Sequence, residues 1–166
     1  ILGVANRWNK LKGLDDFIML RRILDPDIQI VLIGLSRFQT IGLPRGITGV
    51  RYLEKKEDIA SFYSGALSYI NPTYSDNFPT TNIEALACGT PVITYDTGGS
   101  PESIDENTGF VVKKGDIENI KVSIEKIIKN GRENYRSQCI SRAINKYDKN
   151  IRFIDYMNIY KQILQV

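Results

Sequence analysis

DNFPTTNIEALACGTPVITYDTGGSPE, residues 76–102, holds a loop, a helix, a strand and a glycine turn in direct succession. Pro79 can open the helix, because its missing N–H has no partner in a first turn anyway; the spacing predicts a helix over 79–88. PVITY, residues 91–95, is a short apolar run bounded by turn residues, as in a strand buried on both faces. Gly98-Gly99 then turns the chain. A helix N-terminus beside a glycine turn attracts anions, since unpaired backbone N–H groups and the helix dipole point at the same place. Asp76 and Glu84, eight positions apart, would repel a phosphate there but suit the neutral hydroxyls next to it, on a ribose or a hexose. The local chemistry is that of a nucleotide-sugar pocket.

Outward from this stretch the same alternation continues. Strands are predicted over 1–5, 28–34 (IQIVLIG), 49–53, 66–71 and 109–112 besides 91–95. Helices are predicted over 12–23, 59–64, 117–129, 133–146 and 150–164 besides 79–88. Residues 35–48 are polar and glycine-containing and are expected to form a mobile loop. Near-continuous apolar strands separated by helices indicate a parallel sheet covered on both faces. The expected fold is α/β, a Rossmann-like doubly wound parallel sheet of about six strands with C-terminal helices, in one domain spanning the chain.

The 166 residues are 42% hydrophobic and 25% charged, the composition of an ordinary globular domain. No apolar run approaches the roughly 20 residues of a membrane span, and no signal-peptide pattern is present. The chain opens on Ile1 in a buried strand without an initiator Met, which is expected of an excised domain. Cys88 and Cys139 stand on separate predicted helices without metal-type spacing, so a reduced, cytoplasmic setting and a core role for Cys88 are expected. With no histidine, a Ser-His-Asp triad, a Cys-His dyad and a histidine metal site are excluded within this sequence. From residue 113 onward 12 basic and 6 acidic side chains alternate, a pattern that favours solvated helix faces over a nucleic-acid surface.

In open sheets of this kind ligands bind beyond the carboxyl ends of the strands. Asn6 and Arg7 follow the first strand, Gly34 to Arg37 the second, and Tyr52 to Glu54 the third. Asn71 to Phe78 follow the fourth, and Asp96 to Ser100 the fifth. Asp25-Pro26-Asp27, although it matches an Asp-x-Asp metal signature, precedes a strand and belongs to the opposite rim as a turn. Arg7 and Lys12 could clamp a diphosphate, Arg as a planar fork and Lys as a point charge, or be two surface cations. Asp76 and Glu84 as an acid–base pair would suggest glycoside hydrolysis; on its apolar helix, Glu84 needs a partner that a ribose diol would supply. Ser100-Pro101 resembles a helix start, and Glu102 suits its first turn. No Walker loop or GxGxxG is present.

Arg7-x4-Lys12-Gly13, Asp76-x7-Glu84, EALACGTPV and TGGSPE, in this order, resemble the C-terminal domain of retaining glycosyltransferases of family 4, with the GT-B fold. The similarity covers essentially the whole chain, including the closing IDYMNIYKQIL. The resemblance implies a donor-binding domain whose N-terminal, acceptor-binding partner is absent. It implies sugar transfer, with retention, from a nucleoside diphosphate sugar of UDP or GDP type to an acceptor hydroxyl. Arg7 and Lys12 match the family's diphosphate clamp, Glu84 the acid on the ribose, and Asp76 the acid on the donor sugar. Backbone amides across Phe78, Pro79, Thr80 and Thr81 match those near sugar and phosphates, and Tyr52 and Leu53 fall where the nucleobase is bordered. Gly34, on the same rim, is counted with the donor-binding set.

Two departures stand out. The first acid is Asp where the family has Glu, and Phe78-Pro79 replaces its Phe-Gly, removing one N–H donor. DNFPTTNIE resembles a bacterial subgroup that builds surface polysaccharides, on lipid-linked or saccharide acceptors, with peripheral association at the inner face of the plasma membrane. No metal and no further cofactor are expected, because the cations can carry the diphosphate charge. The rivals are a non-catalytic carbohydrate- or protein-binding domain and a nucleotide-sugar epimerase of the same fold, which would need a histidine.

Overall fold

The computed structural model describes residues 1–164. Six strands form one sheet: β1 (Leu2–Val4), β2 (Ile30–Ile33), β3 (Ile47–Val50), β4 (Tyr69–Asn71), β5 (Val92–Tyr95) and β6 (Gly109–Val112). Their spatial order is β3-β2-β1-β4-β5-β6, with every pairing parallel. The order reverses between β1 and β4. That is the topological switch point, where adjacent loops leave the sheet in diverging directions and open a crevice. The central strands carry the core: Leu2, Ile30, Leu32, Tyr69, Ile70, Val92 and Ile93 are all buried.

The helices are α1 (Leu14–Ile23), α2 (Arg37–Ile41), α3 (Lys56–Gly65), α4 (Thr80–Ala87), α5 (Ile117–Asn130), α6 (Glu133–Tyr147) and α7 (Lys149–Leu164). α5 buries Ile120, Ile124 and Ile127, one per turn of a 3.6-residue period, and Asp116 caps its start by accepting from the Asn119 N–H at 3.0 Å. α7 buries no residue; Phe153, Tyr156, Met157 and Tyr160 are all exposed. No described helix is long and apolar enough to cross a membrane.

Three sequence expectations need correction. The predicted helix 12–23 is two elements: a 3-10 turn, Lys10–Lys12, and α1, separated by Gly13 at φ +72°. The third strand lies earlier than 49–53, because Ile47 pairs with Ile30 and fills the core, leaving Tyr52 and Leu53 on the loop beyond. The expected mobile loop 35–48 contains α2, started by a reciprocal capping box between Ser36 and Gln39. Asp25 does sit on the amino-terminal rim, where the Arg21 guanidinium ties the carbonyls of Leu24 and Asp25 at 2.8 and 2.6 Å.

Candidate functional site

A cleft of about 1030 Å³ opens at the carboxyl ends of β1 and β4. It is lined, among others, by Arg7, Lys12, Asp76 and Glu84, so the four side chains singled out from sequence meet in one place. Tyr52, Leu53, Phe78, Pro79, Thr80 and Thr81 line it too.

The cation side is built by the segment after β1. Trp8 turns inward and is buried against Phe17, ring centroids 5.5 Å apart at 84°. Its Nε1–H donates to the Ile33 carbonyl at 2.8 Å, and its own carbonyl accepts from the Gln39 side chain at 3.0 Å. With Trp8 anchored from both ends, its neighbour Arg7 is turned out into the cleft, exposed and, among the described residues, in no ion pair. Lys12 ends the 3-10 turn that Asn9 caps, its N–H donating to Asn9 Oδ1 at 3.0 Å. The Lys12 Nζ lies 2.8 Å from Asp76 Oδ2, an ion pair spanning the loops after β1 and β4.

The loop carrying Asp76 is held from three sides. The Tyr74 N–H donates to the Leu11 carbonyl at 2.8 Å, and the Tyr74 hydroxyl to the Asp16 carboxylate at 3.1 Å. Asp16, at the start of α1, is buried and also accepts from the Tyr95 hydroxyl at 2.9 Å. Burial raises its pKa above the ordinary aspartate value, although both tyrosine bonds pull it down. From the third side, the Gly99 N–H donates to the Asn77 carbonyl at 2.9 Å. Gly98, at φ +51°, lies so close to the Asp76 carbonyl that a Cβ would collide with it. The glycine turn therefore shapes the acid's loop.

The other wall is α4. Pro79 precedes it without a side-chain cap, and the Asn82 N–H bonds back to the Pro79 carbonyl at 3.1 Å. Thr80 and Thr81, in the first turn of α4, line the cleft, and amides in a first turn have no partner within their helix. Asn82 is fully buried: its Oδ1 accepts from Asn71 at 2.9 Å and its Nδ2 donates to Ser103 at 2.8 Å. This chain of amides pins α4 to the end of β4. Two positions past Asn82, Glu84 faces the open cleft and accepts from the Tyr63 hydroxyl at 3.1 Å.

Other candidates fall elsewhere. Gly34, at φ +95°, does not line the cleft; its missing side chain makes room for the Ala5 carbonyl, which closes β2 against β1. Asp96 and Glu102 are not on the cleft wall either. Ser100 precedes a 3-10 turn, Pro101–Ser103, but its hydroxyl makes no capping bond. Cys88 touches the cleft, and burial raises its thiol pKa, which keeps it a weak nucleophile. Cys139 is fully buried, its thiol pushed up to about 12 by burial.

Trp8, Asp16 and Tyr63 were not singled out from sequence. Their partners lie 25, 79 and 21 positions away, so only tertiary structure brings them to the site.

A family model described as glycosyl transferases group 1 matches residues 1–146. The capsular polysaccharide biosynthesis glycosyltransferase CapM of Staphylococcus aureus is 26% identical over 99% of this chain and 47% of its own length. The chain thus spans about half the length of that relative. Sucrose-phosphate synthase from Thermosynechococcus elongatus superposes with a TM-score of 0.82 at 23% identity, over 99% of this chain and 45% of that one. Anabaena HepE, solved in complex with UDP-glucose, gives 0.79 at 18% identity, over 99% and 48%. These likenesses establish the fold, a Rossmann-like half of the GT-B architecture. The chain belongs to the glycosyl transferases of group 1.

Proposed function

We propose that this chain is the donor-binding half of a retaining glycosyltransferase of family 4. In this role it binds a nucleoside diphosphate sugar and works with an opposing acceptor domain. The observation that carries the proposal is the meeting of two cations, two carboxylates and a helix N-terminus in one cleft at the switch point. Arg7, Lys12 and the amides of Thr80 and Thr81 hold the diphosphate and stabilise the charge that builds on it as the glycosidic bond breaks. Glu84 takes the ribose hydroxyls, and Asp76 the donor sugar. Tyr52 and Leu53 border the base. A UDP-type donor is supported by the HepE complex, and a surface-polysaccharide product by the name of the CapM relative.

The ion pair between Lys12 and Asp76 gives the donor site a resting state. A diphosphate carries more negative charge than one carboxylate and draws Lys12 across. Asp76 is then released to accept from a sugar hydroxyl. Phosphate recognition and sugar recognition are in this way linked through one side chain.

The test is calorimetric titration of the chain with UDP, GDP and ADP, beside a transfer assay on the same preparation. Binding of one nucleotide in the micromolar to millimolar range, about −8 to −4 kcal/mol, without turnover is the expected result. An open half-site leaves part of the donor in water, and closure against a second domain supplies positioning. No binding at millimolar concentration would refute the donor assignment, and turnover by the chain alone would refute the need for an opposing domain.

A further inference from the structure

The Glu84 carboxylate ends a flexible side chain on the exposed face of α4, yet one of its oxygens is already held. Tyr63, on α3, donates to Oε2 at 3.1 Å. Among the described residues no other hydrogen bond reaches this carboxylate. We propose that Tyr63 is a positioning residue: it fixes the Glu84 carboxylate so that Oε1 meets the ribose diol, and thereby sets the preference for ribonucleotides over deoxyribonucleotides. The proposal rests on the donor assignment above and names a residue that assignment does not use.

The donor is itself immobile. The Tyr63 ring is 1% exposed and packs edge-on against Tyr69, centroids 5.4 Å apart at 70°. Its backbone carbonyl accepts from the Thr90 hydroxyl at 2.6 Å, tying this end of α3 to the segment between α4 and β5. Only the edge of the residue reaches the cleft wall. A phenylalanine would fill the same core space; among the described residues the hydroxyl's one hydrogen bond goes to the Glu84 carboxylate. Burial and the neighbouring Glu84 push the phenol pKa up, so the group stays protonated and is always a donor.

The consequence is orientational. An unheld glutamate samples several rotamers and presents either oxygen to water, an entropy that must be lost when the ligand binds. With Oε2 occupied, the carboxylate plane is set before the nucleotide arrives, and Oε1 remains to accept from a hydroxyl. Such prior ordering raises affinity without a contact between Tyr63 and the ligand.

The experiment compares UDP, GDP and ADP with their 2′,3′-dideoxy counterparts on the unaltered chain, Tyr63→Phe, Glu84→Gln and the double variant, with thermal melting as a fold control. Tyr63→Phe is expected to weaken binding of the preferred ribonucleotide by about three- to tenfold and to leave the dideoxy form unchanged. In the Glu84→Gln background the same change should do nothing further. Full retention of the ribose preference in Tyr63→Phe, or equal weakening of both forms, overturns the positioning role and leaves the donor assignment standing. Absence of any ribose preference in the unaltered chain overturns the positioning role together with the placing of Glu84 on the ribose, whereas absence of all nucleotide binding overturns the donor assignment itself.

Discussion

The two ends of the cleft are built to different standards of rigidity. At the end proposed for the ribose, Glu84 stands on a helix that buried Asn82 pins to the sheet, and its carboxylate accepts from the hydroxyl of a fully buried tyrosine. At the end proposed for the diphosphate, Arg7 is exposed on a loop, and Lys12, whose side chain is 37% exposed, is paired with Asp76. Under the proposed function, Glu84 is oriented before the ligand arrives, and Lys12 exchanges Asp76 for the diphosphate when it does. The difference follows the chemistry. A diol is recognised by geometry and needs a fixed acceptor, whereas a diphosphate is recognised by charge, which tolerates a mobile cation.

The largest effect expected is at the phosphate end. Arg7→Ala and Lys12→Ala should each weaken nucleoside diphosphate binding by about 1.5–3 kcal/mol, with nucleoside binding almost unchanged. Calorimetry with the two ligands checks this, and equal losses for both would mean that neither cation is a phosphate clamp. At the fixed end, Glu84→Gln keeps the shape and removes the charge, so nucleotide affinity should fall by about 1–2 kcal/mol. That loss should be as large for the nucleoside as for the diphosphate, which is the opposite signature.

Asp76→Asn sharpens the contrast further. It frees Lys12 and removes a like charge from the phosphates, so affinity for the bare diphosphate should rise by about 0.5–1 kcal/mol. If Asp76 holds the donor sugar as proposed, sugar transfer by the full-length protein should fall. A drop in diphosphate affinity would show that Asp76 is needed to hold Lys12 in place rather than to release it.

The smallest effect concerns the buried carboxyl under the Asp76 loop. Folding raises the Asp16 pKa, so the native chain takes up this proton at a higher pH than the unfolded chain does. Native stability therefore gains from Asp16 as pH falls through its raised value toward the ordinary one, and the ionised form is the costlier one above it. Melting curves of the unaltered chain and Asp16→Asn across mildly acidic pH should converge or cross in the direction that favours the unaltered chain at lower pH. A pH-independent difference would remove desolvation as the cause.

Much of this architecture was legible because parallel strands leave a plain mark. IVLI, VITY and GFVV are short apolar runs bounded by turn residues, and each is a strand of the sheet. The rim rule places Arg7 and Asp76 on one edge, and the helix that follows carries Glu84 to the same cleft. Gly34 shows the limit of that rule: it follows a strand on the correct edge, yet it does not line the cleft, its N–H donates to the Val50 carbonyl, and its missing side chain makes room for the Ala5 carbonyl. β3 slid because Gly49 and Val50 resemble a strand start, while the pairing of Ile47 with Ile30 decides the register. α2 could have been found, since Ser36 and Gln39 carry the capping-box spacing. The Trp8–Ile33 and Tyr63–Glu84 bonds could not, because nothing local marks either pair.

The contact between the glycine turn and the Asp76 loop has a consequence for anyone who would redesign the donor site. Residues 76–77 and 98–99 press backbone on backbone, with the Gly99 N–H closing on the Asn77 carbonyl. They are one unit of exchange, although some twenty positions separate them in the chain. A graft of the acid's loop from a relative would arrive without its template and settle elsewhere; the glycine turn has to travel with it. Conversely, residue 98 is a lever on the Asp76 carboxylate from outside the cleft. Any side chain placed there displaces the Asp76 backbone, and so re-aims the carboxylate within the cleft without replacing a single residue that lines it.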